Sequence, residues 1–239
     1  MAKDYSEDQL IQRSAAELLE KELGWTSVYA FDKEVLGLNG TLGRTSYQEV
    51  LLTGRFRKAL KTLNPWMTDK QLQEATERMT EYMSSQTLMQ INEQKYQYIK
   101  DGVPVTRIKP NGETEEVRAK VIDFASPEKN DFLCVREMWV YGALYHRRAD
   151  IVGFVNGLPL LFMELKNHDV EVVDAFNKNY RDYLDTVPQL FYHNAFIMFS
   201  NGLEARVGTI DSKWEFFHEW KRLTEQEAGN IELPTMLRG

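Results

Sequence analysis

The chain has 239 residues, of which 43% are hydrophobic and 27% charged, as expected for a globular protein with a substantial core. Its formal net charge of −7 argues against a protein whose whole surface binds nucleic acid, but it leaves room for a local cleft that meets phosphate. A single cysteine, Cys134, excludes an internal disulfide and a cysteine-rich zinc site, and its apolar neighbours predict a buried thiol.

No apolar run approaches the roughly 20 residues that span a bilayer, and the N-terminal MAKDYSEDQL has no apolar segment like that of a signal peptide. We therefore expect a cytoplasmic protein that has no membrane partner. Four of the five tryptophans, Trp66, Trp139, Trp214 and Trp220, lie in apolar patterns and are predicted to belong to the core.

The first hundred residues carry mainly helical patterns. An apolar stripe at helical spacing predicts a helix that begins at Ser6 and ends at Gly24. Thr68 is a predicted N-cap. The further helices are expected over about 47–63, from Thr68 to about Met83, and over 86–100.

The pattern changes to strands after Gly102. Strands are predicted at 103–108, 117–125, 131–144, on both sides of Asn156-Gly157, at 191–199 and at 203–210, and helices at 169–186 and 212–223. This order predicts an α/β fold in which helices flank a mixed sheet, with an added helical block at about 46–100. We assign 1–225 to one domain and the polar residues 226–239 to a linker.

The stretch RRADIVGFVNGLPLLFMELKN (147–167) places charges at the ends of two apolar strands. Glu164 and Lys166 share one strand face because side chains alternate, and Asp150 lies on the neighbouring strand. Two carboxylates and the backbone carbonyl of Leu165 are oxygen ligands of the kind that Mg²⁺ prefers. Lys166 could then orient a water molecule or stabilise charge on phosphorus, so the set suits phosphodiester hydrolysis.

The register of this hairpin raises a difficulty. A strict two-residue turn pairs Val155 with Leu158 and puts Asp150 opposite Met163, so that Asp150 would point away from Glu164. The catalytic hypothesis therefore requires a bulge. Pro159 has no backbone N–H to donate and makes a regular ladder improbable, so we predict a bulge here.

A purely structural interpretation is also open. Asp150 could cap a turn, and Glu164 with Lys166 could form an ion pair at an exposed strand end. The tripeptide pattern alone is weak, since Glu93-Gln-Lys95 matches it in a helical context.

The sequence around these residues resembles the nuclease segment of the R (restriction) subunits of type I restriction–modification enzymes, which carries a PD-(D/E)xK motif. SEDQLIQRSAAELLEKELGW (6–25) looks like the opening helix of that family, and YQEVLLTGRFRKALKTLNP (47–65) like its second helical block. Residues 175–209 are similar to the segment after the motif. The resemblance implies a restriction-endonuclease-like fold.

The resemblance also implies roles for individual residues. Asp150, Glu164 and Lys166 match the catalytic positions of the family, and Ala149 stands where the motif has proline. Asn179 and Tyr183 match a Gln-x-x-x-Tyr pair, but asparagine is shorter than glutamine, and packing is the alternative role for Tyr183.

Three further residues are weaker candidates. Glu7 matches an early acid near the metal in related nucleases, and its alternative role is that of a helix first-turn acid. Arg147 or Arg148 could contact a DNA phosphate, and pairing with a local acid is the alternative.

The family resemblance further implies Mg²⁺, or Mn²⁺ in its place, and double-stranded DNA cut to 3′-hydroxyl and 5′-phosphate ends. R subunits continue into an ATP-dependent motor and assemble with modification and specificity subunits. This chain has no Gly-x-x-x-x-Gly-Lys-Ser/Thr loop, so we expect that it does not bind ATP. The alternatives are a nuclease of the same fold from a recombination, repair or phage system, and a non-catalytic docking domain.

Overall fold

A computed structural model describes residues 7–219, apart from the side chains of residues 7–10. Within this range one seven-stranded mixed sheet has the order β1-β4-β5-β6-β7-β8-β9, and β2 and β3 form a separate antiparallel hairpin. The strands are β1 (Thr26–Tyr29), β2 (Val103–Ile108), β3 (Thr114–Ala119), β4 (Phe132–Tyr141), β5 (His146–Val155), β6 (Leu158–Leu165), β7 (Phe196–Ser200), β8 (Ala205–Gly208) and β9 (His218–Glu219). The β1–β4 and β6–β7 pairs are parallel and the others antiparallel, which confirms the predicted mixed sheet.

Helices precede the sheet and separate its strands. They are α1 (Glu7–Lys21), α2 (Thr53–Leu63), α3 (Asp69–Thr80), α4 (Leu88–Asp101), α5 (Val172–Asp174) and α6 (Arg181–Thr186), with a π-helical segment (Ala175–Tyr180) between α5 and α6. Short 3₁₀ turns occur at Pro127–Lys129, Pro188–Phe191 and Trp214–Phe216. Thr68 and Thr87 each form a capping box with a glutamine three residues later, which confirms the predicted start at Thr68.

Helices cover both faces of the sheet. On one face α1 buries Ile11, Ala15 and Leu19 against strand residues such as Ile151 and Met163. On the other face the helical stretch 172–186 packs against the strands, and an aromatic cluster fills the interface. The cluster consists of Phe162, Phe176, Tyr180, Tyr183, Phe191, Phe199 and Phe217. The sheet centre is therefore shielded, and functional groups are confined to its ends and edges.

The helical block α2–α4 joins the β2–β3 hairpin in a core of its own, which meets the sheet at Leu158. This block lies between β1 and β4 in sequence, although these two strands are neighbours in the sheet. The predicted helices over about 68–83 and 86–100 are confirmed, with shorter bounds.

The helix predicted over 47–63 starts too early. Residues 47–52 form a loop, because the backbone of this segment bonds to the sheet instead: the Tyr47 carbonyl accepts from the N–H of Tyr141, and the N–H of Leu52 donates to Gly157. Apolar side chains in this loop, Val50 and Leu51, are buried by tertiary packing. Their spacing imitates one more turn of helix.

One other predicted element is wrong, and another begins later than predicted. Within 212–219 the predicted helix is replaced by a 3₁₀ turn and β9, because Phe217 packs into the aromatic cluster while His218 pairs with β8; residues 220–223 lie outside the described range. The strand predicted from 191 begins only at Phe196, after a 3₁₀ turn. Trp66 is exposed rather than part of the core, and Trp220 is not described.

Cys134 is buried beneath α1 as predicted, and burial raises the pKa of its thiol to about 12. None of the described helices is long and apolar enough to cross a membrane.

Candidate active site

The β5–β6 hairpin turns at Asn156-Gly157, where both residues have positive φ, of 53° and 81°. This is the type I′ geometry that asparagine followed by glycine favours. The buried Asn156 side chain donates to the Val121 carbonyl and accepts from the backbone N–H of Asp131. These bonds anchor the closed end of the hairpin, so the register at its open end is well determined.

A bulge in β6 brings Asp150 and Glu164 opposite each other on neighbouring strands. Phe154 pairs with Pro159 but Gly153 pairs with Leu161, so that Leu160 is the extra residue. The ladder ends at Ile151 and Met163, and the next residues along the two strands are Asp150 and Glu164. The predicted bulge is therefore confirmed, and it removes the one-residue offset that would have turned the two acids apart.

Asp150 and Glu164 line a cleft of about 260 Å³ together with Lys166. The carboxylate of Asp150 accepts from the Gln12 side chain at 3.0 Å and from the backbone N–H of Leu165 at 2.7 Å. The Lys166 ammonium donates to Glu164 Oε1 at 2.9 Å. Glu164 is 2% exposed, and its other oxygen, Oε2, is buried with no hydrogen-bond partner in the described part of the chain.

The environment of the two acids opposes their ionisation. Burial, followed by the charge of Glu164, raises the pKa of Asp150 well above its usual range. Burial likewise raises the pKa of Glu164, against the opposing influence of Lys166. Two carboxylates in this position are costly to hold ionised unless a cation joins them.

The donor set fits one divalent cation. Glu164 Oε2 is a buried acceptor without a donor, and Asp150 with the Leu165 carbonyl would supply further hard oxygen ligands of the kind that Mg²⁺ takes. Among the side chains that the structure describes, those of residues 11–219, no group of three or more His, Cys, Asp or Glu is arranged to hold a metal ion. Mg²⁺ commonly keeps several water ligands, so a small set of protein oxygens suits it.

Asn179 and Tyr183 also line the cleft, from the π-helical segment and from α6. The Tyr183 hydroxyl donates to the carbonyl of Arg148, and burial raises its pKa well above the usual value. Both residues contribute to the wall of the cleft, and their roles stay predictions. The helix that carries Glu7 forms as expected, but the Glu7 side chain lies outside the described residues.

The two arginines differ in position. Arg147 pairs with Asp182 on α6. Arg148 pairs with Glu137, and both Arg148 and Glu137 line the cleft. Each arginine therefore has the acidic partner that was considered as the alternative to a phosphate contact.

Residues 4–216 match the protein family "Type I restriction enzyme R protein N terminus" (HSDR_N). The chain belongs to this family. Its mixed sheet, with helices on both faces and the acids at the open end of the β5–β6 hairpin, is a restriction-endonuclease-like fold, as expected.

Curated relatives are similar over most of the chain. The putative type I restriction enzyme MjaIXP endonuclease subunit of Methanocaldococcus jannaschii is 30% identical over 221 residues, which cover 90% of this chain and 20% of the relative. The type I restriction enzyme HindI endonuclease subunit of Haemophilus influenzae is 28% identical over 228 residues, 92% of this chain and 21% of the relative. This member of the R protein family thus spans about one fifth of the length of these relatives.

Four cleft residues lie outside the set that the sequence patterns single out, and two of them, Gln12 and Glu137, are buried polar residues. Gln12 is a polar residue on the buried stripe of α1, at helical spacing from Ala15, Ala16 and Leu19, and a polar side chain there needs a buried partner. Glu137 interrupts the apolar run of β4, where an acid is equally out of place. Both irregularities are visible in the sequence of this R protein family member, but the partner of each residue is not.

Proposed function

We propose that this domain is the Mg²⁺-dependent cleavage module of a type I restriction enzyme R subunit and hydrolyses phosphodiester bonds of double-stranded DNA. The observation that carries the proposal is the convergence of Asp150, Glu164 and Lys166 in one cleft, where Glu164 Oε2 is buried and unpartnered. A cation-dependent nuclease site would account for both the convergence of these charged side chains and the unpartnered oxygen of Glu164.

The residues would divide the reaction among themselves. Asp150, Glu164 and the Leu165 carbonyl would hold Mg²⁺, which polarises the phosphoryl group and lowers the pKa of water when it is bound. Lys166, whose ammonium lies 2.9 Å from Glu164, would orient the attacking water and stabilise negative charge at phosphorus. The water oxygen would join phosphorus and release a proton to solvent, while the P–O3′ bond breaks and the leaving 3′ oxygen takes a proton from solvent, which leaves 5′-phosphate and 3′-hydroxyl ends.

The whole-subunit part of the proposal rests on family membership and on the names of the relatives. The full-length subunit would add an ATP-dependent motor and would bind modification and specificity subunits. Cleavage would then follow recognition and translocation, away from the recognition site. Within this scheme the present domain supplies the hydrolytic step and binds no ATP.

The deciding experiment uses the full-length subunit in its assembled complex. We expect Lys166→Ala and Glu164→Gln to abolish cleavage of a plasmid that carries the recognition site, while ATP hydrolysis continues. Glu93→Gln is the matched control, since Glu93-Gln-Lys95 repeats the tripeptide pattern on α4, and Glu93 is exposed there. Normal cleavage by Lys166→Ala would sink the proposal and favour a docking domain of the same fold.

A further inference from the structure

Glu137 has a backbone that its residue type disfavours. It lies inside β4 with φ of +56°, the left-handed region in which a side chain crowds the backbone. The β4–β5 ladder pairs Arg136 with Ile151 and Met138 with Ala149, so Glu137 falls opposite Asp150 at the break between these pairs. Glu137, Asp150 and Glu164 therefore occupy successive positions across three neighbouring strands.

The Glu137 carboxylate forms an ion pair with the guanidinium of Arg148. Arg148 Nε lies 2.5 Å from Glu137 Oε2, and the side chains are 40% and 6% exposed, respectively. The guanidinium also stacks over Phe31 at 4.6 Å. The Phe31 carbonyl accepts from the Trp139 indole, whose ring lies 5.7 Å from the same guanidinium. A buried acid and two aromatic rings thus orient a half-exposed cation.

This arrangement has an electrostatic cost and a backbone cost. The charge of Glu137 adds to the repulsion at Asp150 and Glu164, since like charges nearby oppose ionisation of each. A residue with an unfavourable backbone and repulsive neighbours indicates a functional constraint on that position. The fixed Arg148 guanidinium has five N–H donors, and the pair with Glu137 does not use all of them.

We propose that Glu137 is a positioning residue, which orients Arg148 on its Phe31 platform so that the guanidinium binds a DNA phosphate in the cleft. The proposal rests on the nuclease function above. It distinguishes Arg148 from Arg147, which pairs with Asp182. Glu137 itself touches neither DNA nor cation, and acts through the arginine.

A double-substitution cycle in the full-length, assembled enzyme tests this. Glu137→Gln and Arg148→Ala are each expected to slow plasmid cleavage about tenfold or more, the effect of losing a charge-assisted hydrogen bond, without change in ATP hydrolysis. The double variant should be no slower than Arg148→Ala, because Glu137 has nothing left to orient. Glu137→Gly, which suits the positive φ, should lose cleavage to the same extent although it removes the backbone strain.

Salt dependence separates a phosphate contact from a structural role. The ratio of wild-type to variant cleavage rates should shrink as salt rises from about 50 to about 200 mM, since the lost contact is electrostatic. Asp131→Asn is the matched control, because it breaks the Arg55–Asp131 ion pair near the closed end of the hairpin and should leave cleavage unchanged. Additive losses in the double variant, or a ratio independent of salt, would overturn the proposal.

The Lys166→Ala variant, assayed in parallel, separates the two proposals. If it cuts DNA normally, the nuclease function itself fails. If it is inactive while Glu137→Gln or Glu137→Gly cuts at the wild-type rate, only the positioning role fails.

Discussion

Gln12 on α1 donates its side-chain amide to the carboxylate of Asp150 on β5 across 3.0 Å. The other Asp150 oxygen accepts from the backbone N–H of Leu165 on β6. The carboxylate is therefore oriented from two elements at once, and Gln12 is itself 5% exposed. This bond connects the first helix of the chain to the candidate site.

Substitution of Gln12 by leucine should lower DNA cleavage by about 10- to 100-fold, because a ligand that loses its orienting hydrogen bond holds a metal less well. The control is Gln71→Leu, which removes a buried glutamine on α3 that donates to the Thr106 carbonyl, far from the cleft. That variant should lose stability but retain the cleavage rate per folded molecule. Equal cleavage rates for both variants in the assembled enzyme would contradict the role of Gln12.

The stability of the metal-free protein should depend on pH through Asp150. Its folded-state pKa is raised by burial and by Glu164, so the native state binds more protons than the unfolded chain between about pH 4 and the raised value. Stability from this source therefore falls as pH rises through that interval. Asp150→Asn removes this titration, so the free energy of unfolding of the variant relative to wild type should increase as pH rises above about pH 4.

Urea unfolding in EDTA at several pH values measures this advantage. Asp182→Asn is the comparison, because Asp182 is a more exposed acid paired with Arg147 and should show no such gain at high pH. Added Mg²⁺ should stabilise the wild type more than Asp150→Asn, since a ligand stabilises the state that binds it. An advantage that does not grow with pH would show that the acid is not destabilised by its surroundings.

Two glycines with similar φ allow backbone strain to be separated from steric clash. Gly112 and Gly157 both follow asparagine and have φ of +84° and +81°. A Cβ on Gly157 would lie 2.6 Å from the Leu52 oxygen, whereas a Cβ on Gly112 would meet nothing within 4 Å. We expect Gly112→Ala to cost about 1 kcal/mol of unfolding free energy, and Gly157→Ala about 3 kcal/mol. If both variants lost the same free energy of unfolding in urea, the loop at 47–52 would have moved to accommodate the added Cβ, and the predicted clash would be wrong.

The buried ion pair between Arg44 and Glu34 should be sensitive to loss of one partner. Their side chains are 0% and 1% exposed, and Arg44 also donates to the Trp139 carbonyl. Arg44→Ala would strand a buried carboxylate and should cost roughly 3–5 kcal/mol. Lys178→Ala, which breaks an exposed helical pair with Asp174, should cost less than about 0.5 kcal/mol. Denaturant midpoints for the two variants measure the difference, and similar midpoints would be inconsistent with it.

Much of the site is predictable because its determinants are local. Asn156-Gly157 specifies the turn, and alternation along β6 puts Glu164 and Lys166 on one face. The bulge is also predictable, since Asp150 and Glu164 can share a face only if one strand has an extra residue, and Pro159 lacks a backbone N–H for a regular ladder. Capping by Thr68 is equally local.

Elements whose conformation depends on distant contacts are not predictable in this way. Residues 47–52 have helical apolar spacing but bond to β4 and to the β5–β6 turn. Residues 212–219 likewise have a helical pattern, yet Phe217 joins the aromatic cluster. In both segments tertiary burial outweighs a helix propensity of a few tenths of a kcal/mol per residue.

By itself, then, the sequence determined the turn at Asn156-Gly157 and the shared strand face of Glu164 and Lys166, because these follow from turn chemistry and from the side-chain period. Together with the catalytic hypothesis it also predicted the bulge that brings Asp150 opposite Glu164. The tertiary structure alone decided which groups surround those three residues: Gln12 at Asp150, Glu137 across from it, and Arg148 on its aromatic platform. The physical reason is distance along the chain. Hydrogen bonds and ion pairs between separate elements depend on how the helices pack on the sheet, and no local periodicity encodes that packing.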